Sequence, residues 1–397
     1  MIGPAADTVA LVLVGNELLV GHTIDTNGPW LGRRFTEVGL RVVAATIAPD
    51  DPDAVGQALL QGLQAARAVV VTGGLGPTTD DVTRAALARF ASGWRSTELA
   101  NDVGSEPGVR MESRRGVIFA VPGVPAEMRS IVDRHVLPEI VASAGELVPR
   151  SIRSLVVVGM AEPQVAEILA PIEADLVGQG WLAYLPHPAE IEVRIGVTGV
   201  DADEMATAAT ARARQLLGDV VAAEDQRLEE AVVEALRIRQ ATVATAESLT
   251  GGLVAAALVS VPGASDVVRG GVVAYATDLK ADLVGVPADL LERDGAVAPT
   301  TAHAMAEGIR ERCQADFGVA TTGVAGPDPQ EGHRAGTMHV AVASRSGTSV
   351  RSFEPSSPCR DRQTVRRQAV VRVLDLLRRS VLDDGQGPRE SLPGRTR

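Results

Sequence analysis

The apolar positions of this chain follow two rhythms that alternate along its length. VALVLVGNELLVG begins with a continuous apolar, β-branched run, which predicts a buried strand; LGRRFTEVGLRVVAATIA predicts a helix followed by a second strand. DAVGQALLQGLQAA and ARAVVVTGGLG repeat the pair. Such strands alternating with amphipathic helices predict a parallel sheet covered on both faces, with ligands bound at the carboxyl ends of its strands. Residues 1–150 are assigned to this first α/β domain. After HVLPEIVASAGELVPR the rhythm changes. The strand SIRSLVVVG, the helix PQVAEILAPIEADL, the strand AEIEVRIGVTGV and the helix DEMATAATARARQLLG predict a small α+β module over 151–225. From DQRLEEAVVEALRIRQ a helix leads into ATVATA, GGVVAYA, FGVATTG and TMHVAVASRSG, strands separated by helices, which predict a second α/β domain over 226–382. Residues 383–397 read as a disordered tail.

Composition narrows the function classes. The 397 residues are 45% hydrophobic, enough for sizeable cores in two or three domains. The formal net charge of −12, spread without long acidic blocks, argues against a sequence-independent nucleic-acid or anionic-membrane surface, which needs clustered cations, and favours small molecules. Cys313 and Cys359 stand far apart without CxxC spacing, so a reducing cytoplasm is expected, with neither a disulfide framework nor a thiolate zinc site. The N-terminus lacks the basic region of a signal peptide, and no apolar run approaches the roughly 18–20 residues of a membrane span.

One count changes the picture more. The chain has 38 Lys and Arg together, and Lys280 is its sole lysine. A guanidinium stays protonated, whereas a desolvated ammonium can lose its proton and act as a base, so the place where Lys stands is a candidate for proton transfer. Tyr275, one of two tyrosines, lies five residues before it in GGVVAYATDLK. A lysine on a helix surface would explain the same residue with no chemistry. In ATAESLTGGLVAAAL, residues 244–258, Glu247 and Ser248 end a β-type run, and Thr250, Gly251 and Gly252 read as a loop entering a helix. Capping explains such a Ser or Thr; free backbone N–H groups at the turn would also suit an anion or a developing oxyanion.

A second Gly-rich loop occurs in VTGGLGPTTDDVTRAAL, residues 71–87. Gly73, Gly74, Gly76 and Thr78 would let a phosphate approach the backbone, and Asp80 or Asp81 would ligate a hard divalent cation; a plain turn with helix-dipole carboxylates is the alternative. Glu17 in GNELL, and Asp25 and Asn27 in DTN, would share that sheet edge. The six His show no HExxH or paired spacing, which disfavours a His-ligated zinc.

GNELLVGHTIDTNGPWL, VTGGLGPTTDDVT and VPGVPAEM resemble the molybdopterin-binding-type N-terminal domain of the CinA family, the competence/damage-inducible proteins. AESLTGG, GGVVAYATDLKADLVGV, VATTGVAGP and AGTMHVAV resemble that family's C-terminal domain, and the resemblance covers nearly the whole chain in order. It implies an α/β fold with an N-terminal molybdopterin-binding-like three-layer domain, the small α+β middle module and a C-terminal α/β amidohydrolase domain. It implies a nicotinamide-nucleotide amidohydrolase converting NMN to nicotinate mononucleotide and ammonia without a cofactor. For the N-terminal domain it implies ADP-ribose pyrophosphatase activity dependent on Mg²⁺, Mn²⁺ or Co²⁺, and for the protein a homodimer.

Carried across, the family's serine falls on Ser248, its tyrosine on Tyr275, its lysine on Lys280, the Thr-Gly of its substrate loop on Thr322 and Gly323, and an Arg beyond the last strand on Arg362. A Ser–Lys pair needs no His, Tyr275 would relay or orient the proton, and Arg362 suits a phosphate. Thr250 is expected to cap the helix and Glu247 to orient the site. Departures are Leu249 for a usual Cys, Ala298 for a usual Ser, His333-Arg334-Ala335 for Lys-Pro-Val, and Arg360 for a Gly. The family's segment between VTGGLGPTTDDVT and VPGVPAEM is longer by several tens of residues, so the shortened domain is expected to keep its fold and to have weak or no pyrophosphatase activity. A catalytically silent nucleotide-binding or regulatory protein, and a protein whose main activity is the pyrophosphatase, are the alternatives.

Overall fold

All seven residues of the first strand, β1 (Thr8–Val14), are buried, and they feed two different cores. Side chains of a strand alternate between faces. Ala10, Val12 and Val14 pack with Val55, Leu59 and Leu63 of the helix Pro52–Ala65, while Val9 and Leu11 join Leu31 and Phe35 of the helix Asn27–Glu37. The continuous apolar run is therefore the signature of a strand with helices on both sides. The computed structural model describes residues 4–79, 81–89, 92–355 and 361–383; Asp80, Cys359, Arg360 and nearly all of the 383–397 tail lie outside them.

With β2 (Arg41–Ala48), β3 (Ala68–Thr72), β4 (Arg95–Leu99), β5 (Gly108–Ser113) and β6 (Gly116–Val121), β1 forms a six-stranded sheet ordered β2-β1-β3-β6-β5-β4. The four strands β2, β1, β3 and β6 are parallel, whereas β5 and β4 join antiparallel. The expectation of an all-parallel sheet is corrected here: hairpins, which need no crossover helix, extend its edge.

The middle sheet has the order β10-β7-β9-β8, from β7 (Arg150–Val158), β8 (Gly180–His187), β9 (Glu190–Thr198) and β10 (Val221–Glu224). By contacts the chain divides into one unit of residues up to 152 with 197–205 and a second of 153–196 with 206 onward. Most of the middle module thus belongs to the second unit, where Val156, Val158, Ala222 and Ala223 share a core with Val232, Val233 and Val243.

The third sheet contains β11 (Val243–Glu247), β12 (Val268–Val273), β13 (Phe317–Gly323), β14 (Met338–Ser344) and β15 (Gly347–Phe353), ordered β12-β11-β13-β14-β15. Its first three strands are parallel and β14 and β15 are antiparallel, so the expected helix-separated pattern gives way to a hairpin at this edge too. One face is lined by Ala244, Ala246, Ala320, Ala341 and Ala343 and packs on the helix Pro299–Arg312. The approach is close: a Cβ added at Gly318 would lie 2.0 Å from the Ala306 carbonyl oxygen. Among the described residues no helix is long and apolar enough to cross a membrane.

Candidate active site

β11 and β13 run parallel with Glu247 opposite Thr321, so their carboxyl ends bring Ser248 and Thr322 to one edge of the sheet. The Ser248 N–H donates to the Thr321 carbonyl at 2.9 Å. After β12 the chain turns into the helix Thr277–Val284, which buries Lys280 to 1% exposure against Ser248, itself 8% exposed. Lys280 Nζ lies 3.3 Å from Ser248 Oγ, 3.0 Å from the Ala274 carbonyl oxygen and 3.2 Å from that of Tyr275. This arrangement also fits a neutral amine: two N–H bonds donate to the carbonyls, and the lone pair accepts the serine hydroxyl. Burial pushes the Lys280 ammonium below its ordinary value, opposed by the charges of Glu331 and Asp278.

Lys280 and Ser248 open onto a cavity of about 270 Å³ that Tyr275, Thr277, Thr322, Arg362 and the loop 323–330 also line. Thr322 is 1% exposed, and its hydroxyl donates to the Ala296 carbonyl at 2.7 Å. Gly323 has φ 154°, and a Cβ there would come within 2.4 Å of the Thr337 carbonyl oxygen, so glycine is required. Tyr275 reaches Lys280 through its backbone. Its side chain is 55% exposed, with the hydroxyl 2.5 Å from Arg362 Nη2, and Arg362 Nη1 donates to the Gly326 carbonyl at 2.9 Å. Among the described residues no hydrogen bond joins the Tyr275 hydroxyl to Ser248 or Lys280, and the Tyr275 hydroxyl stands with Arg362 at the rim.

The turn after Ser248 departs from its sequence reading. The cap of the helix Leu253–Val259 is Glu247, whose 1%-exposed carboxylate accepts the N–H groups of Gly252 at 2.9 Å, Val254 at 3.0 Å and Ala255 at 2.8 Å. Three charge-assisted bonds satisfy the otherwise orphaned first-turn amides. Thr250, expected to be the cap, is fully buried with its hydroxyl 2.6 Å from that of Thr321. The Gly251 N–H is committed to the Ser248 carbonyl at 3.0 Å and that of Gly252 to Glu247, which removes both glycine amides as anion donors. Arg366, missed in the sequence, donates to the Thr250 carbonyl at 2.7 Å and holds the turn from the other side.

In the first unit, Gly73 (φ 100°) lets the loop after β3 pack against the Val14 carbonyl, and Gly74 follows at φ 65°. Asp25 Oδ1 accepts the N–H groups of Asn27 and Gly28, each at 2.9 Å, and caps the helix Asn27–Glu37. Asn27 Nδ2 donates to the Gly123 carbonyl at 2.8 Å and to Thr72 Oγ1 at 3.3 Å. Glu17 is exposed, its carboxylate folded over Gly15. Gly76 and Thr78 are tied to Asp81, whose Oδ2 accepts the Thr78 N–H at 2.8 Å and the Thr78 hydroxyl. Burial pushes the Asp81 carboxyl up, but these bonds and that from the Gly76 amide leave it below the ordinary value. Asp81 does not begin the following helix, Thr83–Ala88. Among the described residues no three His, Cys, Asp or Glu converge as a metal site, and Asp80 lies outside them.

Two family patterns match the chain: "CinA C-terminal domain" over residues 225–381 and "Probable molybdopterin binding domain" over 10–142. A CinA-like protein of Frankia casuarinae is 40% identical over 93% of this chain and 95% of its own length. One from Anaeromyxobacter dehalogenans is 37% identical over 93% and 98%. The chain belongs to the CinA family. Among solved structures, the competence/damage inducible protein CihA from Agrobacterium tumefaciens is 36% identical, covering 39% of this chain and 94% of its own, at TM-score 0.36.

Two of the departures from the usual CinA pattern, Leu249 and Ala298, fall at buried positions. Leu249 is 3% exposed in an apolar cluster with Ala325, Met338, Val365 and Ala369. Ala298 stands at the N-cap of the helix Pro299–Arg312 and makes no side-chain cap, a loss worth about 1 kcal/mol. Glu331 also went unread in the sequence: its Oε2 accepts the N–H groups of Ala296 at 2.9 Å and Val297 at 3.1 Å, two cavity-lining residues. Its signal is the turn-like PDPQEG, but a turn does not say where its side chain reaches.

Proposed function

We propose that this CinA protein is a nicotinamide-nucleotide amidohydrolase, converting NMN and water to nicotinate mononucleotide and ammonia. The observation that carries the reading is the buried Lys280 amine 3.3 Å from the Ser248 hydroxyl. Neutral Lys280 takes the Ser248 proton as Oγ attacks the carboxamide carbon; the protonated amine then returns that proton to the leaving nitrogen. Ammonia departs, and water, deprotonated by Lys280, cleaves the acyl-enzyme to release the carboxylate and restore the serine. The tetrahedral oxyanion needs preorganised donors. With both glycine amides committed, the cavity-lining N–H groups of Leu249 and of the loop after Thr322 are the donors that could take this role. Arg362 with Tyr275 at the rim receives the nucleotide phosphate.

The test is purified protein with NMN. Wild type releases ammonia and nicotinate mononucleotide in equal amounts. Lys280→Arg, whose guanidinium stays protonated and so cannot serve as base, loses at least about 10³-fold in kcat. No ammonia from well-folded wild type overturns the reading. The alternative in which the first unit hydrolyses ADP-ribose is assayed as AMP release with Mg²⁺, Mn²⁺ or Co²⁺; weak or no release is expected, because Asp25 and Asp81 are engaged by their own loops.

A further inference from the structure

The loop lining the cavity ends in a tight hairpin. The Gln330 N–H donates to the His333 carbonyl at 3.1 Å and the His333 N–H to that of Gln330 at 2.8 Å, leaving Glu331 and Gly332 at the corner with φ 51° and 79°. Positive φ at both corner residues is the hairpin-turn geometry that favours Asn or Gly, and a glutamate there is uncommon. Its side chain gives it a task that neither residue could perform. The carboxylate holds the adjacent amides of Ala296 and Val297, and the Ala296 carbonyl in turn accepts the Thr322 hydroxyl. The contact is tight: a Cβ at Gly295, which has φ 85°, would lie 2.7 Å from Glu331 Oε2. Ala296, Val297 and Thr322 line the same cavity as Ser248 and Lys280.

We propose that Glu331 is a positioning residue of the Ser248–Lys280 site, pinning the Ala296–Val297–Thr322 wall of the cavity. The inference rests on the amidase reading for its kinetic readout alone. A carboxylate suits two adjacent N–H donors better than a neutral acceptor, so its charge strengthens the clamp. The same charge opposes the effect of burial on Lys280, as does Asp278 on the lysine's own helix. Glu331 therefore couples the shape of the wall to the protonation of the base.

Because Lys280 is the sole lysine, protein grown with lysine carbon-13-labelled at Cε gives one lysine Cε resonance, whose titration reads this amine directly. Glu331→Gln keeps an acceptor oxygen and removes the charge; Glu331→Ala removes both. The midpoint should move to lower pH in both variants, because losing a negative neighbour favours the neutral amine. The KM for NMN should rise about tenfold in Glu331→Ala and less in Glu331→Gln, as expected for a lost charge-assisted clamp. An unmoved midpoint in folded Glu331→Gln, or an unchanged KM in folded Glu331→Ala, overturns the proposal. If Glu331→Ala fails to fold, the Gln titration decides. A wild type inactive on NMN refutes the amidase reading and leaves the titration as the test of Glu331.

Discussion

Two Gly-rich loops follow parallel strands in this molecule, VTGGLG after β3 and ESLTGG after β11, and among the described residues only the second meets a buried titratable side chain from a distant part of the chain. After β11, Ser248 faces an amine with 1% exposure that comes from a helix 32 residues further along the chain. After β3, the nearby carboxylates are engaged locally: Asp25 caps a helix, Asp81 binds its own loop, and Glu17 is exposed. Topology places both loops at the carboxyl edge of a sheet. The difference is that a distant group is desolvated against one edge, and desolvation moves a proton affinity.

The largest expected effect tests that contrast directly. Ser248→Ala should lower kcat/KM for NMN by at least about 10³-fold in an ammonia-release assay, while Asp25→Ala leaves it unchanged. Comparable losses in both would erase the distinction between the loops. A smaller effect compares two carboxylate caps. Glu247→Ala removes a buried acceptor of three N–H groups and should cost about 2–3 kcal/mol in urea unfolding, against about 1 kcal/mol for Asp51→Ala, an exposed cap that accepts two. Equal costs would mean that burial adds nothing to the cap beside the serine.

The smallest effect is a pH dependence. The folded-state Lys280 ammonium is held below its ordinary value of 10.5, so the unfolded chain binds the additional proton and folding is penalised at neutral pH. The penalty is fully present below the folded-state value and fades as pH rises toward 10.5. Lys280→Met, which has no proton to lose, should therefore be more stable than wild type at pH 7, with the gap narrowing as pH rises. A gap that widens with pH would place the lysine above its ordinary value and break its assignment as a base.

Much of this was legible residue by residue. The continuous run of β1 revealed a strand with two covered faces, and the isolation of Lys280 in an arginine-rich chain singled out the side chain that the fold buries against Ser248. The edge strand β8 escaped because none of its positions is buried, leaving no apolar rhythm to read. Strand direction escaped as well, since a period of two is the same in β5 or β14 whichever way the neighbour runs. Glu247 took the capping role expected of Thr250 because either residue type can cap, and the Thr250 hydroxyl is buried against that of Thr321.

The sequence by itself determined the alternation of strands and helices around β1–β3, the family motifs and the candidate reactive groups, because these follow from local pattern and side-chain chemistry. Tertiary structure alone decided that Lys280 meets Ser248, that Tyr275 turns to Arg362 at the rim, and that Glu331 clamps the far segment 296–297. Each of these pairs joins residues distant in the chain, and their distance and desolvation exist only once the sheet and its helices have packed.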